Sequence, residues 1–210
     1  LACRSRARTL PAMEEVARRG ATAEFLKLDL GYLEGATKVA QAFARDNASL
    51  DVLINNAGLA GSRGLTKDGY ELAFGTNHLG HFAFTLPLLP LLEASKGCIV
   101  NVSSGNHYRA SDLDFEAFRT STKSRTGLPE YSASKLANVL FTAELRRRYP
   151  SISCSSMHPG RIASDVWRSV PGFLRPILRL VLPMDSVETG GAALVNAMRA
   201  TESASGDAVP

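Results

Sequence analysis

The residues best suited to chemistry are a phenol and an ammonium group four positions apart, Tyr131 and Lys135. On a helix this spacing puts both side chains on one face, within reach of each other. A free phenol has a pKa of about 10 and transfers protons poorly near neutral pH. Because a neighbouring ammonium lowers that pKa, the pair predicts proton transfer to or from a carbonyl oxygen. The spacing alone is weak evidence, since a solvated tyrosine–lysine pair on a helix is the ordinary alternative.

The sequence around this pair predicts strands alternating with helices. Short apolar runs, which predict strands, end near residues 3, 30, 54, 102 and 157. Apolar residues at helical spacing predict helices at 6–19, 32–47, 66–94, 129–149 and 186–198. Such alternation indicates βαβ units and a doubly wound parallel sheet, an α/β fold that binds ligands at the carboxyl ends of its strands. We see no repeat or linker, so residues 1–210 are expected to form a single domain. Candidate site residues at predicted strand ends are Arg4, Asp29, Asn55, Ser104 and Pro159.

Five short motifs then follow one another along the chain. They are Asn55–Gly58, Asn77–His81, Val102–Ser104, Tyr131–Lys135 and Pro159–Gly160. Together they resemble the short-chain dehydrogenase/reductase family, over essentially the whole chain. The run from Ser134 to Phe141, with His158 before Pro159, is similar to the retinol-dehydrogenase-like branch. The resemblance implies a Rossmann-like fold and carbonyl–alcohol oxidoreduction.

The resemblance implies a catalytic role for four residues. Tyr131 is the acid–base group, and Ser104, rather than Ser103, hydrogen-bonds the substrate oxygen. Lys135 tunes Tyr131 and binds the nicotinamide ribose, and Asn77 holds a water that relays protons to Lys135. The alternatives are a turn serine at a strand end for Ser104 and a polar residue in a helix kink for Asn77.

The resemblance also implies cofactor-binding residues besides Tyr131 and Lys135. The turn containing Asn55, Ala57 and Gly58 stabilises the sheet and passes the adenosine side of the cofactor, where glycine permits close approach. Asp29 contacts the adenine ring, with a helix-entry aspartate as the alternative. At the nicotinamide end the implied residues are Pro159, Gly160 and Ser164.

The start of the chain favours NADP over NAD. An acidic residue at the end of the second strand of a Rossmann sheet binds a ribose 2′-hydroxyl, whereas arginine accommodates a 2′-phosphate. Here Arg4, Ser5 and Arg6 follow the first apolar run without an acidic residue. Arg4 and Ser5 are therefore expected to bind the 2′-phosphate, with solvated surface arginines as the alternative.

Composition and charge exclude several other classes. The formal charge is +4, and no basic stripe interleaved with aromatic residues indicates nucleic acid. No run reaches the roughly 20 apolar residues of a membrane span. His78 and His81 lack an evident third ligand, so a metal site is not expected. The apolar segment Phe173–Met184 is expected to form a lid over the substrate, with contact to a membrane surface as the alternative.

The ends of the chain differ from the family pattern. The chain begins at Leu1, where the second strand of the fold should lie, and it ends about where a last strand should begin. We therefore expect an incomplete copy that lacks the first strand and its Gly-rich turn, binds cofactor weakly and is weakly active or inactive alone.

These observations predict an NADP-dependent oxidoreductase acting on a lipophilic alcohol or carbonyl such as a retinoid, steroid or lipid aldehyde. The alternative is a non-catalytic binding protein, or an inactive truncated isoform, of the same fold. Family analogy allows a homodimer through the helices at 66–94 and 129–149. Location is open, with the cytoplasm or the cytoplasmic face of an intracellular membrane favoured.

Overall fold

The computed structural model describes residues 1–110, 112–160, 162 and 185–206, with side chains described as far as residue 200. Along these residues strands alternate with helices, and every strand pairing is parallel. The strands are β1 (Ala2–Cys3), β2 (Leu26–Lys27), β3 (Val52–Asn55), β4 (Cys98–Val102) and β5 (Ser153–Met157). The predicted parallel α/β class is confirmed. In the described residues the strands form two sheets, β1–β2 and β3–β4–β5.

The helices fill the intervals between the strands. They are α1 (Arg6–Arg18), α2 (Leu33–Asp46), α3 (residues 72–94), α4 (Leu128–Arg148) and α5 (Val187–Gly206). Helix α3 is not uniform: a π-helical turn, Gly75–Leu79, and a 3-10 turn, Leu86–Leu88, interrupt its α-helical hydrogen bonding. Helices between consecutive parallel strands are the expected crossover connections.

Helix α3 and strand β2 are shorter than the sequence predicted. The backbone of Thr66 donates to the carbonyl of Tyr70 at 2.8 Å, which forms a turn there, and the Glu71 side chain accepts from the Phe74 backbone at 2.8 Å. This cap starts α3 at residue 72 rather than 66. In β2 only Leu26 and Lys27 have partners on the two-residue strand β1, so the apolar run that ends near residue 30 forms a strand of only two residues.

One apolar core joins both sheets to the helices. Its buried members include Leu28 beside β2, Leu53 in β3 and Ile99 in β4, against which Leu88 of α3 and Phe141 of α4 pack. This core fixes the helices on the sheets and thereby the strand ends where the candidate residues lie. In the residues described, no helix is long and apolar enough to cross a membrane.

A buried polar network crosses β3 and β4. The Asn55 amide donates to Thr85 Oγ1 at 2.9 Å and to Asn101 Oδ1 at 2.8 Å, and the Asn101 amide donates to Thr142 Oγ1 at 2.9 Å. All of these residues are buried. Buried polar groups are costly unless satisfied, so the network favours one arrangement of α3, β3, β4 and α4.

Candidate active site

The first turn of α4 carries Tyr131, and the loop before it is closely held. Gly127 precedes the helix with φ +66°, a left-handed conformation, and a Cβ there would lie 3.0 Å from the carbonyl oxygen of Ser62. The Glu130 carboxylate accepts from the backbone N–H groups of Lys123 and Ser124 at 3.1 and 2.8 Å. These contacts set where α4 begins and so where the phenol projects.

The two serines after β4 have different partners. The Ser104 side chain lies near the Tyr131 hydroxyl and lowers the pKa of Tyr131, and its Oγ accepts from the Asn106 backbone N–H at 3.2 Å. Ser103 is buried and donates to the carbonyl oxygen of Lys135 at 2.8 Å. Ser103 therefore anchors α4 to the strand end. Of the two serines, only Ser104 interacts with the phenol, and its role toward the substrate stays a prediction.

Lys135 lies one turn after Tyr131 and is buried. Its Nζ donates to the carbonyl oxygen of Val102 at 2.9 Å and lies 5.7 Å from the centre of the Tyr131 ring. Burial lowers the pKa of Lys135 to about 8 from its ordinary 10.5, because the charged form loses water.

The expected lowering of the Tyr131 pKa is not what the structure shows. Burial raises the pKa of Tyr131 above its ordinary 10, and the interaction with Ser104 offsets only part of that rise. The prediction considered the ammonium and left out desolvation of the phenolate. At this distance the Lys135 charge contributes less than burial.

Asn77 lies in the π-helical turn of α3 and is fully buried. Its amide exchanges two hydrogen bonds with the backbone of Leu59, at 2.9 and 3.0 Å, and donates to Ser134 Oγ at 3.0 Å. Ser134 in turn donates to the Tyr131 carbonyl at 2.7 Å. Asn77 thus connects the loop after β3 to the helix that carries the phenol.

The turn after β3 brings Gly58 beside the same groups. A Cβ on Gly58 would lie 3.3 Å from Asn77 Oδ1 and 3.6 Å from Lys135 Nζ. The missing side chain therefore leaves space next to the ammonium, as a close-approaching ligand requires. Ala57 lies in this turn, whereas the Asn55 side chain points into the buried network and is not free to contact a ligand.

A second group of predicted residues lies at the carboxyl ends of β1 and β2, around a cavity of about 280 Å³. Arg4 and Asp29 line it, and Asp29 Oδ1 accepts from the Gly31 backbone at 3.0 Å. Ser5 is not among the lining residues. It precedes α1, and its carbonyl oxygen accepts from Thr9 Oγ1 at 2.9 Å.

The residues predicted at the nicotinamide end are described only in part. Pro159 and Gly160 follow β5, and Gly160 has φ +93°. This positive φ favours glycine at the position, and a Cβ there would also lie 2.9 Å from Asp185 Oδ2. Ser164 and the predicted lid Phe173–Met184 lie outside the described residues.

Two residues near these sites were not identified from the sequence. Ser134 lies inside the Tyr131–Lys135 run, where the sequence gives no reason to separate it from any other small helical residue. The structure shows that it accepts a hydrogen bond from the Asn77 amide. His107 has Nδ1 2.6 Å from the Ser104 carbonyl oxygen, within the 3-10 helix Gly105–Arg109, which is too short to give a periodic signal. Among the described residues no group of three or more histidine, cysteine, aspartate or glutamate side chains could hold a metal ion.

Comparison with known proteins agrees with this fold. Residues 1–114 match the short chain dehydrogenase family. The chain is 39% identical over 186 residues to human "Dehydrogenase/reductase SDR family member 13", covering 85% of this chain and 49% of that protein. It is 37% identical over 160 residues to human "Retinol dehydrogenase 14", covering 74% and 47%. A short-chain dehydrogenase from Sphingobium yanoikuyae in complex with NADPH superposes with a TM-score of 0.70 at 24% identity, covering 95% of this chain and 73% of that one.

The parallel α/β arrangement, with Ser104 after β4 and Tyr131 and Lys135 on α4, is the fold of the short-chain dehydrogenases. The chain belongs to the short-chain dehydrogenase/reductase family. It spans about half the length of the curated relatives that it matches.

Proposed function

We propose that this chain carries the catalytic residues of an NADP-dependent oxidoreductase that interconverts an alcohol and a carbonyl on a lipophilic substrate. The observation that carries the proposal is the meeting of Ser104, Tyr131 and Lys135 at the carboxyl end of β4, where Lys135 Nζ lies 5.7 Å from the centre of the Tyr131 ring and donates to the Val102 carbonyl. Retinol dehydrogenases among the relatives support a retinoid, steroid or lipid aldehyde as the substrate class.

The residues present fit a nicotinamide dinucleotide. The space left by Gly58 lies beside the Lys135 ammonium, where a ribose hydroxyl could accept a hydrogen bond. The cavity at the ends of β1 and β2, lined by Arg4 and Asp29, is where the adenosine end would lie. When bound, the cofactor supplies or removes a hydride at the substrate carbon.

In the reducing direction, Tyr131 donates its phenolic hydrogen to the carbonyl oxygen as that oxygen gains negative charge. The raised pKa keeps this phenol protonated at neutral pH, the form that a proton donor needs. Ser104 steadies the same oxygen by hydrogen bonding, and the Lys135 ammonium stabilises the phenolate left behind. One carbonyl, one hydride and one proton give one alcohol, and oxidation reverses each transfer.

The test is NADPH consumption by the full chain with all-trans-retinal, compared with Tyr131→Phe. Loss of a general acid is expected to lower the rate by about 10²- to 10⁴-fold. The matched control is Tyr149→Phe, at the residue that ends α4 far from the site, which should leave the rate unchanged. Retained turnover in Tyr131→Phe would contradict the proposal. NADPH binding without turnover of any carbonyl would favour the non-catalytic alternative.

A further inference from the structure

The carboxylate of Glu71 is buried at the start of α3 and takes no part in the chemistry proposed above. Only 1% of Glu71 is exposed, and burial raises the pKa of its carboxyl above the ordinary value. A buried carboxylate is costly, and among the described residues no cation forms an ion pair with it. Capping a helix does not require this residue, because serine, threonine, aspartate and asparagine are the preferred N-caps. Glu71 therefore invites a second explanation.

The length of the glutamate side chain lets its carboxylate bind two segments at once. Glu71 Oε2 accepts from the Phe74 backbone at 2.8 Å and caps α3, while Oε1 accepts from Thr122 Oγ1 at 2.5 Å. Thr122 lies 51 residues further along the chain and is itself buried. The carboxylate therefore joins the start of α3 to the segment that precedes α4.

Other contacts hold the same segment against α3. The Glu71 backbone N–H donates to the Phe118 carbonyl at 2.8 Å, and the Phe118 ring stacks on the Phe74 ring with centroids 3.7 Å apart. Thr122 Oγ1 accepts from the Gly64 backbone at 3.0 Å, which ties in the loop after β3. A hydroxyl has a single hydrogen, so the hydrogen of Thr122 is the one that Glu71 receives.

The segment that begins at Thr122 leads directly to the proposed acid–base residue. The two backbone N–H groups after Thr122 donate to the Glu130 carboxylate at 3.1 and 2.8 Å. Glu130 precedes Tyr131, whose own N–H donates to the Gly127 carbonyl at 3.1 Å. Residues 122–127 are therefore bonded to Glu71 at one end and to the first turn of α4 at the other.

We propose that Glu71 is a positioning residue for the reaction: by holding Thr122 it fixes residues 122–127 and thereby the first turn of α4, from which Tyr131 projects. The inference rests on the proposed function and adds a residue to it. Glu71 acts through Thr122, so its loss shifts the phenol without removing it. A displacement of about 1 Å is enough to slow a reaction by roughly 100-fold.

The experiment compares Glu71→Asp with Glu71→Gln in the full chain. Aspartate still caps α3 but is one methylene too short for Thr122, whereas a glutamine amide reaches both partners. Two quantities are measured: the pKa of Tyr131, from tyrosinate absorbance with Tyr131→Phe in each background, and kcat for all-trans-retinal with NADPH. In Glu71→Asp the pKa of Tyr131 should fall toward its ordinary 10 as the phenol gains water, and kcat should fall at least about tenfold.

Glu71→Gln should restore both quantities to near their wild-type values, because the two hydrogen bonds are kept. The matched control is Glu188→Asp, which shortens an exposed carboxylate in the first turn of α5 and should change neither quantity. If Glu71→Asp does not fold, Thr122→Val removes the same hydrogen bond from the other side and should give the same two changes.

The outcomes separate the inference from the proposed function. A Glu71→Asp variant with the wild-type Tyr131 pKa and kcat overturns the inference alone, since Glu71 then only caps α3. A Glu71→Gln variant as impaired as Glu71→Asp also overturns it, because the two hydrogen bonds would not be what matters. If the wild-type chain reduces no retinal, the proposed function fails, and the titration of Tyr131 still decides whether Glu71 positions the phenol.

Discussion

At the scale of single residues, the adjacent serines Ser103 and Ser104 have different interaction partners. Ser103 and Ser104 follow β4 in succession, so their side chains leave the backbone in different directions. Ser103 is bonded to the backbone of α4, and Ser104 interacts with the Tyr131 side chain. Because only the second contact touches the proposed reacting group, substitutions of the two serines should have separable effects.

We predict that Ser104→Ala raises the pKa of Tyr131 further, because the hydroxyl group that lowers this pKa is removed. Ser103→Ala should leave the pKa of Tyr131 unchanged but reduce the free energy of unfolding by about 1 kcal/mol, the usual contribution of one hydrogen bond. The measurement is tyrosinate absorbance against pH, with Tyr131→Phe in each background to isolate this residue. Equal pKa changes in both serine variants would refute the distinction.

At the scale of elements, α3 holds the site together by packing closely on the segment after β2. A Cβ on Gly80 would lie 2.3 Å from the Leu30 carbonyl oxygen and 2.6 Å from Leu30 Cβ. Gly80 directly follows the π-helical turn that carries Asn77. The close packing of α3 on the Leu30 backbone therefore fixes the position of α3 along the sheet. This position allows Asn77 to reach Leu59 and Ser134.

We predict that Gly80→Ala destabilises the protein by about 3 kcal/mol, because a methyl group cannot fit against the Leu30 backbone. The matched control is Gly191→Ala on α5, where a Cβ meets nothing within 4 Å. That variant should stabilise the helix by about 0.5–1 kcal/mol, since alanine is the better helix former. Urea unfolding measures both changes. A Gly80→Ala variant as stable as wild type would contradict the close packing.

At the scale of the whole molecule, the buried His81 and the partly buried His78 make stability depend on pH. Burial lowers the pKa of both His78 and His81 to about 4 from 6.5. Both Nδ1 atoms lie beside oxygens, His78 at 3.2 Å from Asn138 Oδ1 and His81 at 2.8 Å from the Asn77 carbonyl, so each Nδ1 carries the hydrogen of a neutral ring.

We predict that stability falls as the pH drops from about 6.5 toward 4. In this window the unfolded chain binds protons that the folded protein does not, so acid favours unfolding. Between pH 7 and pH 5 each histidine should account for a loss of about 2 kcal/mol in the free energy of unfolding.

The variant that tests this pH dependence is His78→Asn combined with His81→Asn, because an asparagine amide can donate from nearly the same position without titrating. Urea unfolding at pH 7 and pH 5 should show most of the loss in the wild type and little in the double variant. An equal loss in both proteins would assign the acid sensitivity to other groups.

Much of the site was predictable because its residues are local in sequence. The helical spacing of Tyr131 and Lys135, and the position of Ser104 at a strand end, follow from backbone periodicity. The alternation of strands and helices similarly predicted a parallel α/β fold, which the structure confirms. The assignments of catalytic and cofactor roles stay predictions until the variants are measured.

The sequence by itself determined which side chains follow the strands and the order of those side chains along the chain. Only the tertiary structure decided their partners: Ser103 on the α4 backbone and Asn55 in a buried network. It also decided that burial raises the pKa of Tyr131. The physical reason is that desolvation and hydrogen-bond partnership depend on segments far apart in sequence, and these come together only when the chain packs.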